Sequence, residues 1–192
     1  MIIEKMNIRA ISEKEYSETA EFFPETAEKI KNCRPDDKKR TLAGRLLLKK
    51  MIKERYGRED FKLGFNENGR PVLDFCFISI SHSGDYAVCA VADLPVGVDI
   101  ESMGGFKKRE KYMLFTPIES EYINRKDSED RFYTLWTRKE AYIKAKGGIL
   151  ADAAKTELVT CGFSLLNFYD GFRFTTDKSD EYIISAAEKI NR

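Results

Sequence analysis

Two segments with different hydrophobic periods constrain this chain most. Val96-Gly-Val-Asp99-Ile-Glu101 alternates every two residues, and Trp136-Thr-Arg-Lys139-Glu140-Ala-Tyr-Ile-Lys144 repeats every three to four. The first reads as a strand, with Val96, Val98 and Ile100 on one face and Gly97, Asp99 and Glu101 on the other. Its two acids share a face with their Cα atoms roughly 6.5–7 Å apart at about 3.3 Å per residue. Acids that close repel unless something positive lies between them, and a hard divalent cation with oxygen ligands fits. An amphipathic strand with its polar face in water explains the same pattern without an ion. Gly97 leaves room on the acidic face for a ligand or a second backbone.

The second segment reads as a helix. Phe132, Leu135, Lys139, Tyr142 and Ile143 gather on one side, while Trp136, Glu140 and Lys144 step along an adjacent face at i, i+4 and i+8. Glu140 and Lys144 also form the favoured surface ion pair, and Gly147-Gly148 is a helix stop. Function and plain surface chemistry account for this helix equally well when it is read alone.

Upstream, Pro35-Asp36-Asp37 opens a helix that Leu42, Leu46, Leu47 and Met51 carry at helical spacing from Asp36 to Tyr56, with Gly57 as its stop. Lys38, Arg45, Lys49 and Lys53 fall on one flank, which reads as a solvated basic face. Asn68-Gly69 is a tight-turn signal, and Phe75–Ser81 and Tyr86–Val91 read as strands joined by the turn His82-Ser83-Gly84-Asp85. Ser83-Gly-Asp-Tyr86-Ala-Val-Cys-Ala90 echoes Ser179-Asp-Glu-Tyr182-Ile-Ile-Ser-Ala186 at a separation of 96 residues, half the chain. A real echo implies two similar halves with a site at their junction.

The 192 residues are 42% apolar and 34% charged, a folded composition with ample core. A net charge of +1 offers no global field for nucleic acid or an anionic membrane, so any attraction for an anion is local. Charges interrupt the amino terminus where a secretory signal needs its apolar run, and no run approaches a membrane span. Cys33, Cys76, Cys89 and Cys161 form no CxxC pair and no zinc spacing, so reduced thiols in a cytoplasmic protein are expected.

His82 is the only histidine. That excludes metal sites built on two histidines, and no Gly-x-Ser-x-Gly elbow accompanies it for a hydrolase triad. Walker A and Gly-x-Gly-x-x-Gly loops are absent. Ser81-His82-Ser83-Gly84 remains as a turn with hydroxyls, an imidazole and backbone N–H groups suited to a phosphate, or as a structural histidine turn.

Taken together, Phe77-Ile-Ser-Ile-Ser-His-Ser-Gly84, Val96–Glu101 and Trp136–Lys144 resemble the three ordered motifs of the 4′-phosphopantetheinyl transferases, in the long, monomeric variety. Arg40-Thr-Leu and Asn68-Gly-Arg-Pro71 are similar to that family's coenzyme A-binding segments. The resemblance spans roughly residues 24 to 150. It implies an α/β (α+β) fold of two pseudo-symmetric halves, each a small antiparallel sheet packed on a long helix, with the active site between them. The halves are expected at 1–97, binding the nucleotide, and 98–192, carrying the metal and catalytic residues.

The implied reaction moves the phosphopantetheine arm of coenzyme A onto a serine of an apo carrier protein (acyl, polyketide, aryl or peptidyl), releasing adenosine 3′,5′-bisphosphate. The resemblance makes Asp99, Glu101 and Glu140 ligands of Mg²⁺, with Asp99, Glu140 and Lys144 catalytic. Glu140, or a water on the metal, takes the serine proton, and Lys144 stabilises the diphosphate. Lys29, Arg40, Arg70, Ser81 and His82 join Lys144 in binding coenzyme A, His82 at the 3′-phosphate. Arg70 stands where the family often has Lys, and Thr26 where it has a second early basic residue beside Lys29. A noncatalytic coenzyme A- or carrier-binding protein of the same fold is the alternative.

Overall fold

In the computed structural model, which describes residues 1–104 and 112–191, the alternating segments pair into two antiparallel sheets. The first sheet has the order β1 (Ile2–Asn7), β5 (Tyr86–Ala92), β4 (Phe77–Ser83). The second runs β6 (Val96–Ser102), β9 (Tyr182–Lys189), β8 (Phe172–Lys178), β7 (Phe168–Tyr169). A two-stranded hairpin of β2 (Gly64–Phe65) and β3 (Pro71–Val72) stands apart, its register set by Gly64 opposite Val72.

Each sheet carries one long helix. α3 (Pro35–Tyr56) covers the first and α5 (Ser128–Lys146) the second, both stopped by a left-handed glycine, Gly57 at φ 64° and Gly147 at φ 72°. Shorter helices α1 (Glu13–Phe22) and α2 (Pro24–Ile30) lean on α3, and α4 (Pro117–Asn124) leans on α5. Capping boxes open α1 at Ser12/Glu15 and α4 at Thr116/Glu119, satisfying amide groups that a helix start leaves orphaned.

The half-chain echo is structural. The orders β1-β5-β4 and β6-β9-β8 correspond strand for strand, and Tyr86 and Tyr182 open the corresponding strands β5 and β9. Their rings meet with centroids 5.0 Å apart, so the two halves touch through equivalent residues.

Strand periodicity then sorts the core. Val88, Ala90 and Ala92 of β5 meet Val96, Val98 and Ile100 of β6 and Ile184 and Ala186 of β9 between the sheets. The alternate residues of β5 (Ala87, Cys89, Val91) pack under α3 with Leu47, Leu48 and Ile52. Gly97, Asp99 and Glu101 are consequently turned toward α5, away from the inter-sheet core. Among the described residues, no helix is long and apolar enough to cross a membrane.

Candidate active site between the halves

Gly97 decides how close α5 comes to the acidic strand. A Cβ there would lie 1.9 Å from the Ala141 carbonyl oxygen and 2.6 Å from the Ala145 nitrogen. The room that glycine makes is thus filled by the α5 backbone rather than by a ligand. With the helix this close, the side chains flanking the crossing reach the carboxylates. Lys144 Nζ donates to Asp99 Oδ1 at 2.7 Å, and Trp136 Nε1 donates to Glu101 Oε1 at 2.9 Å. Glu140, half-buried, stands midway between Trp136 and Lys144 on the same line of the helix, at four residues from each.

The other side of the carboxylates is held by an edge strand. β4 borders β6 without a backbone ladder, and serines at every second residue supply the bonds instead. The Val98 amide donates to Ser79 Oγ at 3.0 Å and the Ser102 amide to Ser83 Oγ at 3.1 Å. Ser81 Oγ donates to Asp99 Oδ1 at 2.6 Å and accepts from Lys144 Nζ at 2.9 Å, and Ser83 Oγ donates to Glu101 Oε2 at 3.0 Å. The period-two row Ser79, Ser81, Ser83 was visible in the chain, but its target lies in the other half.

Asp99 is only 5% exposed. Burial pushes its carboxyl above the ordinary range, while Lys144 and then Ser81 pull the other way. Among the described residues no three His, Cys, Asp or Glu side chains are gathered closely enough to hold a metal ion by themselves.

The basic residues divide between two places. Arg70 reaches from the hairpin to α5, where Nη1 donates to the Ile143 carbonyl at 3.3 Å, and Asn68 beside it donates to the Gly147 carbonyl at 2.9 Å. A cation on the last carbonyls of a helix is favourably placed. Lys29, exposed on α2, donates to the Gly69 carbonyl at 2.9 Å and lies over the Phe65 ring. Arg40 donates from Nε to the Gly84 carbonyl at 2.8 Å and from Nη1 to Asp37 at 2.7 Å, so it is fastened to the β4–β5 turn.

His82 projects from β4 on the face opposite Ser81 and Ser83. Its rim is open to solvent. Even so, the desolvation of its ring, then the charges of Arg40 and Lys144, hold the imidazole below its ordinary pKa. A cavity of about 440 Å³ opens between the hairpin, the edge of β4 and the end of α5; Arg70, Ser79 and Lys144 line it, with Pro71, Phe77 and Val96 as apolar wall. That is the size range of small-molecule sites.

Lys139, one residue before Glu140, is wholly buried with Glu119, the two side chains joined at 2.5 Å. Lys139 Nζ also donates to the Leu114 and Ala153 carbonyls, at 2.9 and 2.8 Å, and Glu119 Oε1 accepts the Leu158 amide at 2.9 Å. Burial pulls the lysine pKa down against the opposing pull of Glu119. This knot ties α4, the turn at Leu114 and the segment from Ala153 to Leu158 to α5. Nothing in the local pattern around Glu119 announced it, because its partner is twenty residues away.

A junction of two similar α/β halves that sets Asp99 against Lys144, with Arg70 at the adjoining cavity, has the acids and cations of a phosphate-handling site. Comparison with known proteins agrees. Residues 95–187 match the family model of the 4′-phosphopantetheinyl transferase superfamily, and residues 10–93 match that of the 4′-phosphopantetheinyl transferase N-terminal region. The chain is 33% identical over 176 residues to a 4′-phosphopantetheinyl transferase of Bacillus subtilis, covering 82% of this chain and 79% of that one. It is 32% identical over 151 residues to the 4′-phosphopantetheinyl transferase Sfp of Bacillus subtilis (strain 168), covering 72% and 66%. It is also 34% identical over 149 residues to the L-aminoadipate-semialdehyde dehydrogenase-phosphopantetheinyl transferase of Mus musculus, where it spans 48% of the relative. The chain belongs to the 4′-phosphopantetheinyl transferase superfamily, in its two-part form.

Proposed function

We propose that this protein moves the 4′-phosphopantetheine arm of coenzyme A onto a serine hydroxyl of an apo carrier protein, with magnesium held at Asp99, Glu101 and Glu140. The observation that carries the reading is the seat of Lys144. Its ammonium rests on Asp99 Oδ1 at the mouth of the cavity that Arg70 also borders, so carboxylates and cations meet at one point between the halves. The donor set suits the ion. Magnesium is ordinarily held by one or two carboxylates, with water and substrate phosphates completing its shell, so a closed protein cage is not needed. When bound, it offsets the charge of a diphosphate during cleavage.

The chain's own residues divide the remaining work. Glu140, between the two helix–strand contacts, takes the serine proton as the new oxygen–phosphorus bond forms. The bond from that phosphorus to the bridging diphosphate oxygen breaks, and the electron pair leaves with adenosine 3′,5′-bisphosphate. Lys144 neutralises the departing oxygen, while Arg70 and Lys29 hold the nucleotide from the hairpin side. Ser81 and Ser83 orient the two carboxylates from β4. His82 and Arg40 stand on the other face of β4 toward a nucleotide phosphate.

Purified protein with coenzyme A, Mg²⁺ and a panel of apo acyl, polyketide and peptidyl carriers should add one phosphopantetheine arm to at least one carrier, read by intact-mass spectrometry. Asp99→Asn and Glu140→Gln should abolish the gain while circular dichroism shows a retained fold. Binding of coenzyme A without transfer to any carrier would instead make the protein a noncatalytic binder.

A further inference from the structure

One row of side chains across the second sheet is polar where the row beside it is apolar. In register, Asp99 of β6 stands opposite Ser185 of β9, and Ser185 opposite Thr176 of β8. Cross-strand partners project on one face, so all three turn toward α5. The adjoining row holds Gly97, Ala187 and Phe174, and its apolar side chains pack under the helix. Over the polar row α5 sets Thr137 and Arg138. Thr137 and Ser185 are wholly buried, and Arg138 is 7% exposed.

These groups form one directed chain. Arg138 Nε donates to Thr176 Oγ1 at 2.9 Å, Thr176 Oγ1 and Ser185 Oγ are 3.0 Å apart, and Ser185 Oγ and Thr137 Oγ1 are 2.7 Å apart. Thr137 Oγ1 ends it by donating to the Tyr133 carbonyl at 2.9 Å. A hydroxyl has one proton to give. With the Thr137 proton on that carbonyl, Ser185 donates to Thr137 and Thr176 to Ser185, so each link has a fixed sense. The Ser185 proton is spent on the helix, although Asp99 is its neighbour. Among the described residues Asp99 takes its hydrogen bonds on Oδ1, from Ser81 and Lys144. The chain therefore holds the helix rather than the carboxylate.

What it fixes is position along the helix axis. Apolar packing is non-directional, so it sets how near α5 lies but not how far along. Gly97 likewise sets nearness, at Ala141. Thr137 precedes Ala141 by four residues, about 6 Å of helix rise. The Asp99 row lies two residues from the Gly97 row, about 6.6 Å of strand. The two spacings agree, so successive turns of α5 are seated on successive rows, and Trp136 reaches Glu101 in the row beyond. Glu140 sits between the two seats, three residues after Thr137 and one before Ala141. A slip along the axis would displace it from the carboxylates of β6 without opening the core.

We propose that Thr137 and Ser185 are positioning residues for the transfer reaction: their buried bond locks the axial register of α5 on β9 and so places Glu140, with the Arg138–Thr176 link setting its sense. The assignment rests on the function proposed above.

Thr137→Val, Ser185→Ala, their double variant and Thr137→Ser test this against the wild type. Replacing both partners of a buried bond by apolar groups is close to neutral, so the double variant should melt within about 4 °C of the wild type. Its kcat for carrier modification should nevertheless fall about 10- to 100-fold. KM for coenzyme A should hold within about threefold, because the loss falls on the transition state. Thr137→Ser should keep most of the rate. Trp136 is the single tryptophan, so the protein has one indole Nε–H resonance, and that group donates to Glu101. Ser185→Ala, on another element, should shift this resonance as the helix slips. Unchanged kcat in the double variant, an unmoved indole resonance, or Thr137→Ser as slow as Thr137→Val overturns the lock. A fall in rate that tracks a drop in melting temperature makes the bond structural only, and overturns it as well. If the double variant does not fold, Ser185→Ala is read by the same rate and resonance. A wild type that modifies no carrier sinks the proposed function instead, and the register is then judged on the indole resonance alone.

Discussion

Gly97→Ala adds one carbon where α5 crosses the acidic strand, and its consequences can be worked from the structure. The new Cβ would sit 1.9 Å from the Ala141 carbonyl oxygen, 2.6 Å from the Ala145 nitrogen and 2.9 Å from the Ala141 carbonyl carbon. All three are main-chain atoms of a helix interior, so no side chain can rotate out of the way. The helix must back off β6 by about 1 Å, and overpacking of this kind costs about 3 kcal/mol, the upper end of its usual range. At about 2–4 °C per kcal/mol for a chain of this size, the midpoint of thermal unfolding should fall by about 6–12 °C.

The same displacement pulls Lys144 from Asp99, now 2.7 Å apart, and Trp136 from Glu101, now 2.9 Å apart. A misplacement of about 1 Å costs on the order of 10²-fold in rate. Circular dichroism melting and carrier modification by mass spectrometry measure the two effects. Gly162→Ala is the control, since its Cβ meets only Thr160 Oγ1 at 3.7 Å. If Gly97→Ala melts and turns over like the wild type, the close crossing of helix and strand is not what aligns the site, and the reasoning fails.

Two further predictions concern groups around this crossing. Lys139→Met leaves Glu119 charged and sealed, and should cost about 3–5 kcal/mol in denaturant unfolding. The double variant Lys139→Met/Glu119→Gln should recover part of that loss, and additive losses would show that the pair is not coupled. His82 has a folded-state pKa below its ordinary value of about 6.5, owing to desolvation and then Arg40 and Lys144. Between the two values the unfolded chain binds more protons, so stability should fall as pH drops from about 6.5 through the folded-state pKa. His82→Gln should flatten that slope in melting curves taken at successive pH values; an unchanged slope would assign it to another group.

The local pattern of the chain established much of this architecture. Alternation along Val96–Glu101 placed Asp99 and Glu101 on one face before any fold was known. The helix of Leu42, Leu46, Leu47 and Met51 ends at Gly57 as its stop signal indicated. These features depend on neighbours within a few residues, which is the range over which periodicity and turn chemistry act. Even the duplication left a trace, because Ser83–Ala90 and Ser179–Ala186 each lead from a short turn into corresponding strands, β5 and β9.

What a carboxylate or cation does depends on what packs against it, and that lay beyond local pattern. The serines of β4 read as part of a phosphate-turn candidate, yet they clamp β6 because two edge strands of different halves come to lie side by side. Arg45 read as solvated but is buried, because helical spacing cannot show that α2 will cover that flank. Glu119 carries no local signal of its role, because Lys139 is brought onto it from another helix. Local backbone sterics and hydrophobic period determined the strands and helices in the sequence itself. The tertiary structure alone decided which charges left water, because desolvation and pairing exist only once distant segments meet.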